Sequence, residues 1–172
     1  MSKRCQQKMR GAALIEFALI VPLLVILVLG ITELGHALFE HNTLQKAVTS
    51  GARYLGRSYE GVDTTDCSTG TNWSTAVNRA GNLVLFGHVD GGTTTTGDGS
   101  SVTNNSILPN VSADMVSVTL QTDSGTGLCV IRLEADVDYT PIFASLFDND
   151  EGLLTLPSFS LYAAAEERFI GE

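Results

Sequence analysis

The chain has 172 residues, of which 44% are hydrophobic and 17% are charged, and its formal net charge is −9. This length leaves room for one modest domain beside a membrane-length helix. Residues 1–57 carry seven Lys/Arg and three Glu, whereas residues 58–172 carry three Arg and sixteen Asp/Glu. The acidic C-terminal part lacks the basic footprint that displaces phosphate counterions, which excludes a nucleic-acid partner and favours an extracytoplasmic domain.

Residues 1–11 form a short basic leader. Four basic residues, Lys3, Arg4, Lys8 and Arg10, precede the first long apolar run. Positively charged flanks of a membrane span stay on the cytoplasmic side. We therefore expect a single-pass protein with a cytoplasmic N-terminus, whose residues 56–172 form an extracytoplasmic domain.

The apolar run from Ala12 to Thr32 is the predicted transmembrane segment, in contact with membrane lipid. It corresponds to about 31 Å of helix, enough to cross a bilayer. Pro22 removes the hydrogen bond to the Ala18 carbonyl and predicts a kink. Glu16 is the only ionisable residue, and an acid costs roughly 2.5–3.5 kcal/mol at the centre of a bilayer. It therefore has a function, or it is tolerated because it lies only about 6 Å along the axis from Ala12.

Residues 33–55 continue the helix in amphipathic form. Apolar residues recur at three- and four-residue steps, with the charged residues Glu33, Glu40, Lys46 and Arg53 off this stripe. The stripe comprises Ile31, Leu34, Leu38, His41, Leu44, Val48, Ala52 and Leu55. The pattern predicts one helix over residues 12–55 whose second half packs against the domain that follows.

The three cysteines are divided by the predicted span. Cys5 lies in the cytoplasmic leader, which leaves Cys67 and Cys129 as a pair in an oxidising compartment. Closing a loop of about 60 residues stabilises a domain by roughly 4 kcal/mol on the chain-entropy argument. The alternative is two unpaired buried thiols.

The remaining elements predict an α+β fold, with the long N-terminal hydrophobic and amphipathic helix packed on a small antiparallel β-sheet. Asn72 can cap a helix over 73–86 that stops at Gly87, between a connecting loop at 56–70 and a mobile, low-complexity loop at 90–106. Three strands are expected after that loop. The strands span 115–122, 128–139 and 153–169, and a bulge is expected near Leu133 in the second of them. Three turns connect them: a hairpin turn at 123–127, a helical turn at 141–147 and a solvated turn at 148–152.

No catalytic site emerges from the residue pattern. His36, His41 and His88 have no Ser/Asp partner spacing or metal-ligand pair, and the acids at 148–151 lack the ligand spacing of a calcium loop. Trp73 is expected to pack in the domain. We therefore expect no enzyme activity, no cofactor, no metal site and no small-molecule substrate.

The N-terminal residues resemble a known family. Residues 11–17 read Gly-Ala-Ala-Leu-Ile-Glu-Phe and are followed by Pro22 in Ala-Leu-Ile-Val-Pro-Leu-Leu. Together with Gly30-Ile-Thr-Glu-Leu-Gly35 and the Ala-Arg-Tyr at 52–54, they resemble TadE-like proteins, the minor pilins or pseudopilins of tight-adherence (Tad/Flp, type IVc) pili. The resemblance covers residues 10–55; beyond residue 57 it is only architectural.

The resemblance implies cleavage between Gly11 and Ala12 by a prepilin peptidase, which would make Glu16 the fifth residue of the mature chain. Glu16 and Phe17 would then serve assembly, with Glu16 setting the axial register by pairing with an N-terminal amine. The implied partners are the major pilin, other minor pilins and the inner-membrane Tad assembly platform. The implied location is the bacterial inner membrane, with a periplasmic C-terminal domain, and then an extracellular pilus that serves cell adhesion.

Two other interpretations remain open. The chain can be an uncleaved single-span inner-membrane protein whose periplasmic domain binds an envelope or pilus-assembly partner. It can also carry an ordinary secretory signal peptide, with a weak small-x-small site at 35–37. Glu16 within the apolar core, and a helical stripe that continues past Ala37, argue against the signal peptide.

Overall fold

The computed structural model describes residues 3–58, 61–143 and 159–170, and only the backbone of residues 3–10. A long apolar helix packs against small antiparallel sheets, which confirms the predicted α+β class. The elements in chain order are α1 (Lys3–Gly56), β1 (Val62–Asp63), β2 (Ser68–Thr69), α2 (Trp73–Phe86), β3 (Thr93–Thr95), β4 (Ser101–Thr103), a 3₁₀ turn (Ala113–Met115), β5 (Val116–Thr122), β6 (Cys129–Tyr139) and β7 (Phe159–Arg168).

Helix α1 is longer than the sequence predicts. It begins at Lys3, not at Ala12, and it ends at Gly56, one residue beyond the prediction. The helix continues through Pro22, so the kink there stays a prediction. From Gly11 onward it is long and apolar enough to cross a membrane, with a mean hydropathy of 2.9 over its most apolar window.

The chain divides into two compact units, the first of which includes the described residues up to Ala37 together with 141–143. Within it, the Ile142 backbone N–H donates a hydrogen bond to Glu33 Oε1 at 3.0 Å. Glu33 thus holds the start of the segment that follows β6, a contact that helical periodicity alone does not predict.

The second unit begins at Leu38 and contains the sheets and α2. Leu44, Val48, Ala52 and Leu55 of α1 are fully buried in its core, as the amphipathic stripe predicts. The Gln45 side-chain amide donates a hydrogen bond to the Ala164 carbonyl at 3.1 Å, which ties α1 to β7. This half of α1 is therefore the helical layer of the domain.

The prediction that the amphipathic stripe packs on the domain is wrong toward the N-terminal end of the stripe. Ile31, Leu34 and Leu38 are 55–64% exposed, whereas Glu40, which was expected off the stripe, is only 6% exposed. The 3.6-residue period is the same throughout a helix, so the sequence alone does not show where packing on the domain begins.

The main sheet is antiparallel, with β6 between β5 and β7. Its inward-facing residues on β6 form one uninterrupted alternation: Cys129, Ile131, Leu133, Ala135, Val137 and Tyr139. The bulge predicted near Leu133 is therefore wrong. That prediction counted Val130 as inward-facing, but the disulfide-bonded Cys129 takes the buried position and Val130 lies on the opposite face.

The shorter elements are confirmed in part. Helix α2 has the predicted bounds, and Gly87 ends it at φ 70° with its N–H bonded to the Leu83 carbonyl; Asn72 occupies the N-cap position but makes no side-chain capping bond. The predicted 123–127 turn is confirmed by the backbone hydrogen bonds Asp123 N–H to Leu128 O and Gly127 N–H to Asp123 O.

Two predicted loops contain short hairpins. Residues 90–106 include the β3–β4 pair, and residues 56–70 include the β1–β2 pair. Three predicted parts lie outside the described residues: residues 144–147 of the helical turn at 141–147, the turn at 148–152, and residues 153–158 of the last strand.

Candidate functional site

The predicted site residues follow one another along the first turns of the apolar part of α1. Gly11, Ala12, Glu16, Phe17 and Pro22 are all exposed. Ala12 and Glu16 are four residues apart, so they lie on the same side of the helix, about 6 Å apart along its axis. The structure thus brings the predicted cleavage position and the acid to one face, one turn apart.

The apolar side chains around Glu16 are exposed among the residues that the structure describes in the first unit. Between Leu14 and Ile31, twelve large hydrophobic side chains are 49–75% exposed. They are Leu14, Ile15, Phe17, Leu19, Ile20, Leu23, Leu24, Val25, Ile26, Leu27, Val28 and Ile31. An apolar surface of this extent is typical of a segment that contacts lipid or other apolar helices.

Glu16 is the one ionisable residue in this apolar stretch. Among the side chains that the structure describes, none forms an ion pair or hydrogen bond with Glu16. A carboxylic acid in an apolar environment either pairs with a cation or takes up a proton and becomes neutral. A cation close to Ala12, one turn away on the same face, would be well placed to pair with Glu16.

Gly11 lies within a helical turn. A Cβ added at Gly11 would meet no atom within 4 Å, so the backbone here is accessible from the side. Glycine is also a weak point in a helix, where it costs about 1 kcal/mol relative to alanine. Of the residues in this part of α1, Gly11 thus combines low helix propensity with an unobstructed backbone.

In the second unit, the predicted pairing of Cys67 with Cys129 is confirmed. The two residues are bonded, with a Cα–Cα distance of 5.3 Å and a sequence separation of 62. The bond joins the β1–β2 hairpin to the first residue of β6. It agrees with an oxidising compartment for this part of the chain.

The histidines and acids of the described residues form no group of three or more that could hold a metal ion. His88 Nδ1 lies 3.7 Å from Asp90 Oδ2, a local pair just after α2. The acidic turn at 148–152 lies outside the described residues.

Comparison with known proteins identifies the N-terminal part of the chain. Residues 11–53 match the family described as TadE-like protein and form a TadE-like domain, which confirms the resemblance. The match begins at Gly11 and contains Glu16, Phe17 and Pro22, but it includes no residue beyond Arg53. No curated protein and no solved structure matches the chain.

Proposed function

We propose that this protein is a minor pilin or pseudopilin that takes part in assembly of a tight-adherence (type IVc) pilus. The observation that carries the proposal is that the TadE-like domain at 11–53 coincides with an apolar helix whose large side chains are exposed from Leu14 to Ile31. Such a helix is stable in a bilayer and equally stable against other apolar helices. It is therefore suited to pass from membrane to filament without refolding.

In this proposal the chain has three parts: a leader at 1–11, an N-terminal pilin helix at 12–55 and an extracytoplasmic domain at 56–172. A prepilin peptidase cuts after Gly11. Removal of the leader takes away Lys3, Arg4, Lys8 and Arg10, which hold the N-terminus at the cytoplasmic face. The helix then leaves the bilayer more easily and packs against the major pilin and other minor pilins at the Tad assembly platform.

Cleavage also creates a cation one helical turn from Glu16. The new amine of Ala12 is a positive charge at a helix N-terminus, where the helix dipole disfavours it. Glu16 lies one turn away on the same face and can compensate this amine within the chain or on a neighbouring subunit. Pairing between subunits fixes their axial offset, and the exposed ring of Phe17 adds apolar packing at that position.

The first experiment measures the N-terminus of the protein purified from cells that express the prepilin peptidase. Intact mass and N-terminal sequencing should show a chain that starts at Ala12. A chain starting at Leu38 would identify a signal peptide and refute the proposal. Deletion of the peptidase provides the control, and it should return the mass to that of the chain from Met1.

The second experiment separates processing from assembly. Glu16→Gln keeps the shape of the side chain and removes its charge, so cleavage should continue while pilus formation falls. Glu16→Asp keeps the charge and should restore assembly at least in part. Normal piliation with Glu16→Gln would show that the carboxylate has no role in register.

A second candidate function is supported by the length of α1, which runs unbroken from Lys3 through Gly11. A peptidase has to unwind this turn before it can cut, whereas a permanently anchored protein needs no such step. In that case the chain is an uncleaved single-span protein whose periplasmic domain binds an envelope or assembly partner. Retention of Cys5, detected by thiol labelling of the purified protein, would favour it.

A further inference from the structure

A cavity of about 870 Å³ lies in the second unit between the end of α1 and helix α2. Three arginines line it: Arg53 in the last turn of α1, Arg57 just beyond that helix, and Arg79 in α2. Hydroxyl and amide groups contribute further hydrogen-bonding atoms, and none of the lining residues that the structure describes is acidic. We call this cavity the arginine pocket.

The arginine pocket stands out because the rest of the domain is acidic. Residues 58–172 contain only three Arg against sixteen Asp/Glu, and one of the three, Arg79, lies in the pocket. Arg53 and Arg57 are two of the three basic residues that follow the predicted span within 1–57. Half of the six Lys/Arg beyond Thr32 therefore line a single cavity.

Local stabilisation explains only part of this arrangement. Arg53 Nε lies 3.4 Å from Glu167 Oε1, and cations near the last turn of a helix offset its dipole. Arg79, however, lies in the middle of α2, where the dipole has no such effect. A hydrogen bond with the Tyr54 hydroxyl raises the pKa of Arg79, and Asp90 contributes a smaller attraction. Arg57 forms no ion pair with any carboxylate of the described residues.

We propose that the arginine pocket binds the carboxylates of an acidic polypeptide segment from a partner protein. Guanidinium groups bind carboxylates through paired, charge-assisted hydrogen bonds. The volume lies within the range of ligand pockets and is far larger than a single phosphate or sulfate ion needs. The apolar residues Ala76, Leu83 and Val89 in the same lining contact the aliphatic parts of a bound peptide.

This interaction is separate from the one proposed for the N-terminal helix. The pocket lies in the second unit, and it needs neither cleavage after Gly11 nor the charge of Glu16. It gives the extracytoplasmic domain its own contact with an acidic neighbour, for which another copy of this chain has the appropriate charge. Its test therefore succeeds or fails independently of the processing experiments.

The test uses the full chain in detergent micelles with fluorescein-labelled hexaglutamate as the probe, followed by fluorescence anisotropy. The labelled peptide should bind, and its binding should weaken at higher salt. Labelled hexaglutamine, which carries no side-chain charge, should not bind. Arg57→Gln and Arg79→Gln should each weaken binding by about tenfold. Arg168→Gln is the matched control: Arg168 is exposed on β7 and lies outside the pocket, and its substitution removes the same charge.

Three results would overturn the proposal. Equal weakening by Arg168→Gln would show a general charge effect, and unchanged binding in both pocket variants would place the peptide elsewhere. Binding of citrate or inorganic phosphate with the same arginine dependence, but none of hexaglutamate, would show a small-anion site instead. Arg57 is exposed and its side chain holds no described partner, so its variant should keep the wild-type melting temperature and remain a valid test.

Discussion

Gly51 of α1 faces Leu133 of β6 so closely that a Cβ at residue 51 would lie 3.0 Å from Leu133 Cδ1. The same Cβ would lie 3.1 Å from Val84 Cγ2 and 3.2 Å from the Ala80 carbonyl oxygen. Gly51 is thus the point where α1, α2 and the central strand approach one another. The close packing of the domain depends on the absence of a side chain there.

Gly51→Ala should therefore destabilise the domain, although alanine favours a helix. The helix propensity gain is about 1 kcal/mol, whereas overpacking against a backbone carbonyl and two buried side chains costs typically 1–3 kcal/mol. We expect a net loss of about 1 kcal/mol. Denaturant unfolding followed by the fluorescence of Trp73, the only tryptophan, measures this loss, because Trp73 lies in the second unit together with Gly51.

Gly81→Ala is the matched control for this prediction. Gly81 lies in α2, and an added Cβ would meet no atom within 4 Å. The same substitution should there stabilise the protein by about 0.5–1 kcal/mol. A Gly51→Ala variant as stable as Gly81→Ala would show that the three elements do not pack as closely as described.

The disulfide between Cys67 and Cys129 should account for a large part of the stability of the second unit. With a sequence separation of 62, the chain-entropy argument gives about 4 kcal/mol. Cys67→Ser combined with Cys129→Ser should lower the free energy of unfolding by that order, as should reduction of the wild type. Cys5→Ser is the control, because Cys5 is not part of the disulfide, and it should not change the free energy of unfolding. A double variant as stable as the wild type would contradict the prediction.

The sequence predicts the elements that a local signal specifies. Glycine at 87 ends α2 because it adopts the left-handed conformation easily, and the Asp123–Gly127 segment forms the expected turn. Distant contacts are less accessible from sequence. The burial of Glu40 and the missing bulge in β6 depend on which neighbours pack on each face, and periodicity does not contain that information.

The same limit applies to the candidate site. Gly11, Glu16 and Pro22 are visible in sequence because each is unusual within an apolar run. The arginine pocket is not visible, since Arg79 lies 22 residues after Arg57 and only the packing of α2 beside the end of α1 brings them to one cavity. A count of arginines in an acidic domain is the one sequence signal that points to it.

The turn between β3 and β4 should keep a carboxylate ionised to unusually low pH. The Thr96 hydroxyl donates to Asp98 Oδ1 at 2.6 Å, and the Ser100 N–H donates to it at 3.0 Å; together with the Ser100 hydroxyl they lower the pKa of Asp98 to about 2. This pKa is below the pKa of Asp98 in the unfolded chain. The contribution of ionised Asp98 to stability is therefore present above about pH 4 and is lost as the pH falls through 2.

Carboxyl carbon chemical shifts measured by NMR against pH would test this assignment. Thr96→Val removes the strongest hydrogen bond and should raise the pKa of Asp98 toward its ordinary value. Thr94→Val changes a neighbouring residue of β3 that does not contact Asp98, so it should leave the titration unchanged. An Asp98 that titrates near 3.8 in the wild type would show that the turn does not hold these bonds.

A polar cluster on the exposed side of the sheet should also respond to acid. The Tyr162 hydroxyl of β7 donates to Glu134 Oε1 at 2.8 Å and accepts from Arg132 Nη2 at 3.2 Å, while Arg132 Nε also contacts Glu134. The Tyr162 hydrogen bond, followed by that from Arg132, lowers the pKa of Glu134. The stabilising effect of ionised Glu134 is therefore present above the pKa that Glu134 has in the unfolded chain, and it is lost as the pH falls through the lower pKa of the folded state.

Tyr162→Phe should raise the pKa of Glu134 and reduce the acid sensitivity of the melting temperature, because less stability is then tied to the ionised carboxylate. Ser160→Ala removes a hydroxyl from the same face of β7 without touching Glu134, so it should reproduce the wild-type titration. The measurement is the NMR titration of Glu134 in the two variants, together with melting temperatures at neutral and acidic pH. An unchanged Glu134 pKa in Tyr162→Phe would show that Arg132 alone holds the carboxylate ionised.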